Sequence, residues 1–296
     1  MHRRTILRAF GGTTALALGI SRFGGHLASA REGTALDALG LPEVTITVTE
    51  TGYQVSPATM PAGWTLLTFE NQGPDTNSAD VMLLPPGETM EGLLEVLAAA
   101  MASPTAAPPP WIYETTFAGA PWTPAGVSAQ AVVLLSAGEW VIFSPAPLTP
   151  ASLTVTEESA TPAAPLALQA DREVRMQEYA FLGLDDTVPA GPQVWQVSNT
   201  GHQPHFLTVS ELPPGTTQAQ FMDNLMAIMS GTPEAEGPEL AGPAILGGCA
   251  TLSDGQSIYL ALDLAAGTYG AICFFPEPET GVPHVMLGMA QVFSVD

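Results

Sequence analysis

Two blocks of the chain align on themselves without gaps, and this constrains the fold more than any other feature. At an offset of 128, Pro61-Ala62-Gly63 recurs as Pro189-Ala190-Gly191, Asn71 and Gly73 as Asn199 and Gly201, and Leu84-Pro85-Pro86-Gly87 as Leu212-Pro213-Pro214-Gly215. At an offset of 129, Gly126 recurs as Gly255, and Gly138-Glu139-Trp140 as Gly267-Thr268-Tyr269. Self-similarity at a fixed spacing marks an internal duplication. The expected domains are residues 43–157 and 170–296, each the size of one small sandwich. Between them Glu158 to Pro165 is rich in Pro, Ala and Thr without apolar period, as a linker is.

Within each repeat the apolar residues alternate. Val44-Thr45-Ile46-Thr47-Val48 and Thr65 to Phe69 in the first half, and Gln193 to Val197 and Phe206 to Val209 in the second, have the period of half-buried strands. A single helix is expected after each Leu-Pro-Pro-Gly turn, from Thr89 in the first half and from Thr216 to Met229 in the second, with threonine as cap. Met222, Met226 and Met229 recur at helical spacing and read as a core-packing stripe rather than a copper-handling face. Loops rich in Pro and Ala follow, then two more strands per repeat. The pattern is all-β, an antiparallel sandwich in each half.

Residues 1–30 read as an export signal: Arg3-Arg4 near the start, an apolar stretch to Ile20, and Ala28-Ser29-Ala30 as a cleavage signature. The paired arginines favour the twin-arginine (Tat) route, and a general secretory signal is the alternative. Arg31 to Pro42 then reads as a short linker. Lysine is absent, and beyond the signal only Arg31, Arg172 and Arg175 stand against 29 acidic residues. Such a surface repels nucleic acid and anionic lipid. No later apolar run has the length of a membrane span. The expectation is an exported protein, periplasmic or otherwise extracytoplasmic.

The chemistry is concentrated near the end of the chain. Cys273, His284 and Met289 follow one another on one loop, between an apolar run ending at Cys273 and a closing strand-like run after Met289. Thiolate, imidazole and thioether together suit copper that shuttles between two oxidation states, and a further imidazole must come from elsewhere. Beyond the signal the other histidines are His202 and His205, in the turn Asn199-Thr200-Gly201-His202-Gln203-Pro204-His205 that hands over to a strand. A competing reading starts from Cys249 and Cys273, two thiols in an oxidising compartment. They could form a disulfide across adjacent strands, closing a loop of about 25 residues and adding about 3 kcal/mol. Zinc held by His202, His205, His284 and Cys273 is a third reading.

The two motifs, Asn-x-Gly leading to Pro-His and then Cys, His and Met before a terminal strand, resemble the cupredoxins, the blue copper proteins. The resemblance covers residues 170–296 and implies two tandem cupredoxin-like Greek-key β-sandwiches, each with one helix in a long connection. It makes His205, Cys273 and His284 the strong ligands of one type 1 copper and Met289 the axial one. Tyr269 matches a tyrosine that often precedes the ligand cysteine, and the backbone near Asn199 is expected to support the Cys273 sulfur. In the first half Asn77 stands at the position of His205, Ser144 at that of Cys273 and Ala120 at that of Cys249, so that half is expected to bind no metal. Ten residues separate Cys273 from His284, more than in most blue copper proteins, although copper nitrite reductases have a longer loop of this kind. Those enzymes and the multicopper oxidases need further histidines for a catalytic centre, and this chain offers only His202. The implied function is electron transfer to or from a redox partner protein, not enzymatic catalysis. The disulfide reading implies instead a metal-free binding or structural protein.

Overall fold

The computed structural model describes residues 35–102, 107–145, 147, 149–157, 166–184, 187–230 and 245–296. The expected export signal and the 158–165 linker lie outside the described residues. The first half contains β1 (Glu43–Val48), β2 (Tyr53–Ser56), β3 (Thr59–Pro61), β4 (Gly63–Asn71), β5 (Asp80–Leu83), α1 (Met90–Ala102), α2 (Trp111–Glu114), β6 (Thr116–Phe117), β7 (Ser128–Leu135), β8 (Gly138–Phe143) and β9 (Ala151–Thr156). The second contains β10 (Arg172–Gln177), β11 (Ala180–Leu182), β12 (Gly191–Asn199), β13 (His205–Leu212), α3 (Gln218–Ser230), β14 (Ile245–Leu252), β15 (Ser257–Leu264), β16 (Gly267–Ile272) and β17 (Ala290–Val295).

Strand pairing repeats between the halves at the offsets seen in the sequence. Val48 pairs with Tyr53 and Asn71, and Met176 pairs with Phe181 and Asn199. Asp80 pairs with Phe143, and Thr208 with Ile272. The expectation of purely antiparallel sheets is corrected: β1 runs parallel to β4, β10 to β12, and β3 to β9. Four strands, not two, follow each long connection: β6 to β9 in the first half and β14 to β17 in the second. The first half also has a second helix, the single turn α2.

The halves are fused through a shared sheet. Its order is β11-β10-β12-β15-β7-β4-β1-β2, so equivalent strands lie at equal distances from the β15–β7 seam. At that seam Ile258, Tyr259 and Leu260 pair antiparallel with Val133, Val132 and Ala131. Pairing the two edges removes one exposed strand edge from each half. The five-stranded sheet β3-β9-β8-β5-β6 and the four-stranded sheet β14-β13-β16-β17 complete the two sandwiches.

Alternation decides what is buried. In β1 Val44, Ile46 and Val48 point into a core that runs through both halves and includes Phe69, Trp140, Trp195 and Phe293. On the outer face of the shared sheet, Leu66, Val132, Val194 and Tyr259 are covered by Leu36 and by the partly buried Leu39, Leu41, Leu166 and Leu168. Leu36, Leu39 and Leu41, in the segment read as a plain linker, therefore cover the seam, and the full burial of Leu36 contributes about 1.5–3 kcal/mol.

The helices have side-chain caps as expected. Thr89 Oγ1 accepts from Gly92 N, and Thr217 and Gln220 form a reciprocal capping box. The methionine stripe of α3 is corrected. Phe221 and Leu225 fill the core, Met222 is only partly buried and Met226 is exposed.

Candidate metal centre

Asn199 builds the first part of the site. Its side-chain amide donates to the carbonyls of Gln203 and Leu252, and its Oδ1 accepts from Gly201 N at 2.9 Å. The turn is thereby closed around its own backbone and pinned to β14, leaving His205 as the first residue of β13. Asn71 closes the corresponding turn of the first half with the same three bonds. Asn199 thus shapes the turn. The bond to the Cys273 sulfur comes from Phe206 N, at 3.4 Å, one residue past His205.

The second part is the loop between β16 and β17. Cys273 N donates to Met289 O, Met289 N to His284 O, and His284 N to Phe275 O, which ties the three side chains to one another. The long excursion from Cys273 to His284 is a small hairpin of its own. Pro276 bridges Pro283, Glu277 N donates to Val282 O, and Glu277 Oε2 accepts from Thr280 N and Oγ1. Its two ends meet at Phe275 and His284, so the added residues do not push the histidine away from the cysteine.

His205, Cys273 and His284 come together, each with no solvent exposure, and their ligand atoms lie within 4.8 Å of one another. His205 Nδ1 is 3.0 Å from His284 Nδ1, and Cys273 Sγ is 3.6 Å from that same nitrogen. A metal at about 2.0 Å from nitrogen and about 2.3 Å from sulfur, with tetrahedral angles, sets N···N near 3.3 Å and N···S near 3.5 Å. The residues fit one such ion. Met289, also fully buried, lies in the same loop.

Tautomers favour the same arrangement. Gln203 Oε1 lies 2.8 Å from His284 Nε2 and can only accept, so His284 carries its proton there and keeps a free lone pair on Nδ1. The far nitrogen of His205, Nε2, is buried without a partner, so this ring is fixed by packing and by what meets its Nδ1. Burial pushes His205 down to about 4. Burial, then the neighbouring His205, pushes His284 down to about 3. Both rings are neutral at ordinary pH, as metal ligands must be. Burial pushes the Cys273 thiol up to about 12, against the pull of the Phe206 and Phe275 N–H groups, so a bound metal displaces its proton.

Two rival readings of these side chains are corrected. Cys249 and Cys273 are both free. Cys249 pairs with Leu207 on one side of β13, and Cys273 follows Ile272, which pairs with Thr208 on the other. Two strand spacings of about 4.8 Å separate their backbones, more than the roughly 7 Å a disulfide spans. The cysteines are not on adjacent strands because β13 inserts between β14 and β16. The four-ligand zinc set also fails, since the His202 side chain is 92% exposed and faces Asp254 at 3.6 Å.

In the first half Asn77 and Ser144 occupy the corresponding positions, beside the buried Tyr53. Tyr53 donates to Asn77 Oδ1 at 2.7 Å and to Ser78 O. Hydrogen bonds replace metal ligands there.

Among solved structures, the chain is similar to the dithionite-reduced auracyanin of Roseiflexus castenholzii (24% identity, 42% of this chain, 94% of that one, TM-score 0.28). It is similar to auracyanin A, a "blue" copper protein of Chloroflexus aurantiacus (22%, 42% and 99%, TM-score 0.27). Over a longer stretch it is similar to a multicopper oxidase (12%, 86% and 88%, TM-score 0.24). No protein-family model and no curated protein sequence matches the chain.

Proposed function

We propose that the chain is an exported electron carrier of two cupredoxin-like domains, 43–157 and 170–296, that arose by duplication. Copper would be held in the second by His205, Cys273 and His284, with Met289 as axial ligand. The observation that carries this reading is the buried convergence of two neutral imidazoles and a thiol at metal-ligand separations. When bound, copper supplies a one-electron couple, and soft thiolate and thioether with imidazole tolerate both of its oxidation states. The chain's own contribution is rigidity. The Asn199 turn fixes His205, the Cys273–Met289–His284 backbone bonds fix the loop, and Phe206 N donates to the sulfur.

A carrier rather than an oxidase is supported by the ligand count. Among the described residues the only other histidine is His202, and it faces solvent. Among the described residues no helix is long and apolar enough to cross a membrane. The partner would be a redox protein that tolerates a strongly acidic surface.

The test is copper titration of the purified chain with absorption spectroscopy. The wild type and Cys249→Ser are expected to show an intense visible thiolate-to-copper charge-transfer band, and Cys273→Ser none. A colourless copper-loaded wild type, or colour that survives in Cys273→Ser, overturns the assignment.

A further inference from the structure

His284 is covered from the solvent side by residues that are not among the proposed ligands. Tyr179, in the tight turn between β10 and β11, packs its ring edge-on against the His284 imidazole, with centroids 5.2 Å apart. Its hydroxyl accepts from Gln203 Nε2 at 3.3 Å, and Gln203 Oε1 holds the His284 Nε2 proton. Glu178 fixes the other end of the same unit, accepting from the backbone N–H groups of both His202 and Gln203. Burial alone would raise the Glu178 carboxyl, but those donors outweigh it and hold it below its ordinary value.

The backbone shows that this cover is maintained against a cost. Tyr179 has φ 63°, the only positive φ at a non-glycine among the described residues, and a bulky side chain is strained there. At Gly201 the place a Cβ would take is occupied by Glu178 Oε1, 2.7 Å away, so the carboxylate packs directly against the turn backbone.

The repeat supplies an independent comparison. The β1–β2 pairing has the same register as β10–β11 at an offset of 128, so the first-half counterpart of Tyr179 is Thr51 and that of Gln203 is Asp75. Both are exposed. The tyrosine and the glutamine are therefore present in the half that has His205, Cys273 and His284, and absent from the half that has Asn77 and Ser144.

We infer that Tyr179 and Gln203 form a closed cap that locks His284 with its Nδ1 lone pair toward Cys273 and His205 and keeps water and small external ligands from the metal position. They are positioning residues, and the site is built to retain its ion rather than to pass it on. The retention part rests on the copper reading, whereas the closed cap is a property of the protein without metal.

Two measurements separate these parts. In metal-free protein, diethyl pyrocarbonate modification mapped by mass spectrometry is expected to label His202 and spare His284. Tyr179→Gly removes the ring at a position where glycine is unstrained, and Gln203→Ala removes the acceptor. Each variant should fold and label His284 at least about tenfold faster, with Tyr179→Phe intermediate. Unchanged His284 labelling in both folded variants overturns the cap. In copper-loaded protein the same variants should lose copper to a chelator about 10- to 100-fold faster, the range for outer partners of metal-bound histidine. An unchanged extraction rate overturns the retention role. A wild type that never takes up copper overturns the copper reading and leaves the labelling result to judge the cap.

Discussion

Met289 has its thioether fully buried and its backbone held on both sides, by Cys273 N and His284 O. Met289→Leu conserves volume, so it should cost less than about 1.5 kcal/mol and leave copper and colour in place. Under the proposed assignment of Met289 as axial ligand, loss of its sulfur should change the reduction potential measurably by voltammetry, because an axial ligand tunes it. An unchanged potential would remove Met289 from the ligand set. At this scale the sequence was legible where a side chain acts through its own chemistry. His205, Cys273 and His284 stood out by type and order, since few residues bind soft metals. The groups that hold them did not stand out. Phe206 contributes a backbone N–H, which every residue but proline has, and Gln203 and Tyr179 matter only once the turn and β10–β11 lie side by side. The His202–Gln203 backbone bonds to Glu178 span 24 and 25 residues and left no local mark.

Between Cys273 and His284 the chain forms an element that closes on itself. Because Phe275 O already meets His284 N, and Pro276 bridges Pro283, the segment 277–282 is not needed to span any gap. Replacing 277–282 by a two-residue Asn-Gly turn should therefore retain copper binding and colour, with stability changed by no more than about 1 kcal/mol, since loop-closure entropy varies slowly with length. Loss of the visible band in a folded variant would show instead that the excursion positions His284. The sequence revealed the length of this loop but not its pairing, which depends on Glu277 turning back to Thr280. The same limit applies to α3. Three methionines at helical spacing outweighed one phenylalanine in the pattern, yet Phe221 is the residue packed against Gly270, where a Cβ would lie 2.4 Å from its ring. Periodicity locates a helix and cannot rank its faces when apolar residues lie on more than one of them.

Over the whole molecule the repeat made the strand plan readable, because two copies of one pattern must share one register. How the copies join was not readable. The seam uses three ordinary β7–β15 pairs and a set of contacts that bring β14 against the first half, including Pro121 with Cys249 and Ala118 with Leu252. Asp80 is central to that contact. Its Oδ1 accepts from Thr251 N at 3.1 Å, and the side chain lines a cavity of about 170 Å³ between the halves, with Trp122, Phe206 and Phe275 among its walls. Burial raises the Asp80 carboxyl above its ordinary value, and the bonds to Thr251 lower it by less. A carboxyl raised in the folded state binds its proton more tightly folded than unfolded. Its contribution to stability is therefore greatest below the ordinary carboxylate range and is lost as pH rises through the folded value. Asp80→Asn keeps the acceptor for Thr251 N and removes the charge. The variant should melt at a higher temperature than the wild type at pH 8, and the gap should close by about pH 4, near the unperturbed aspartate value. Thermal melts of both proteins at the two pH values test this, and a gap of equal size at both would mean that the charge of Asp80 is not what strains the joint between the halves.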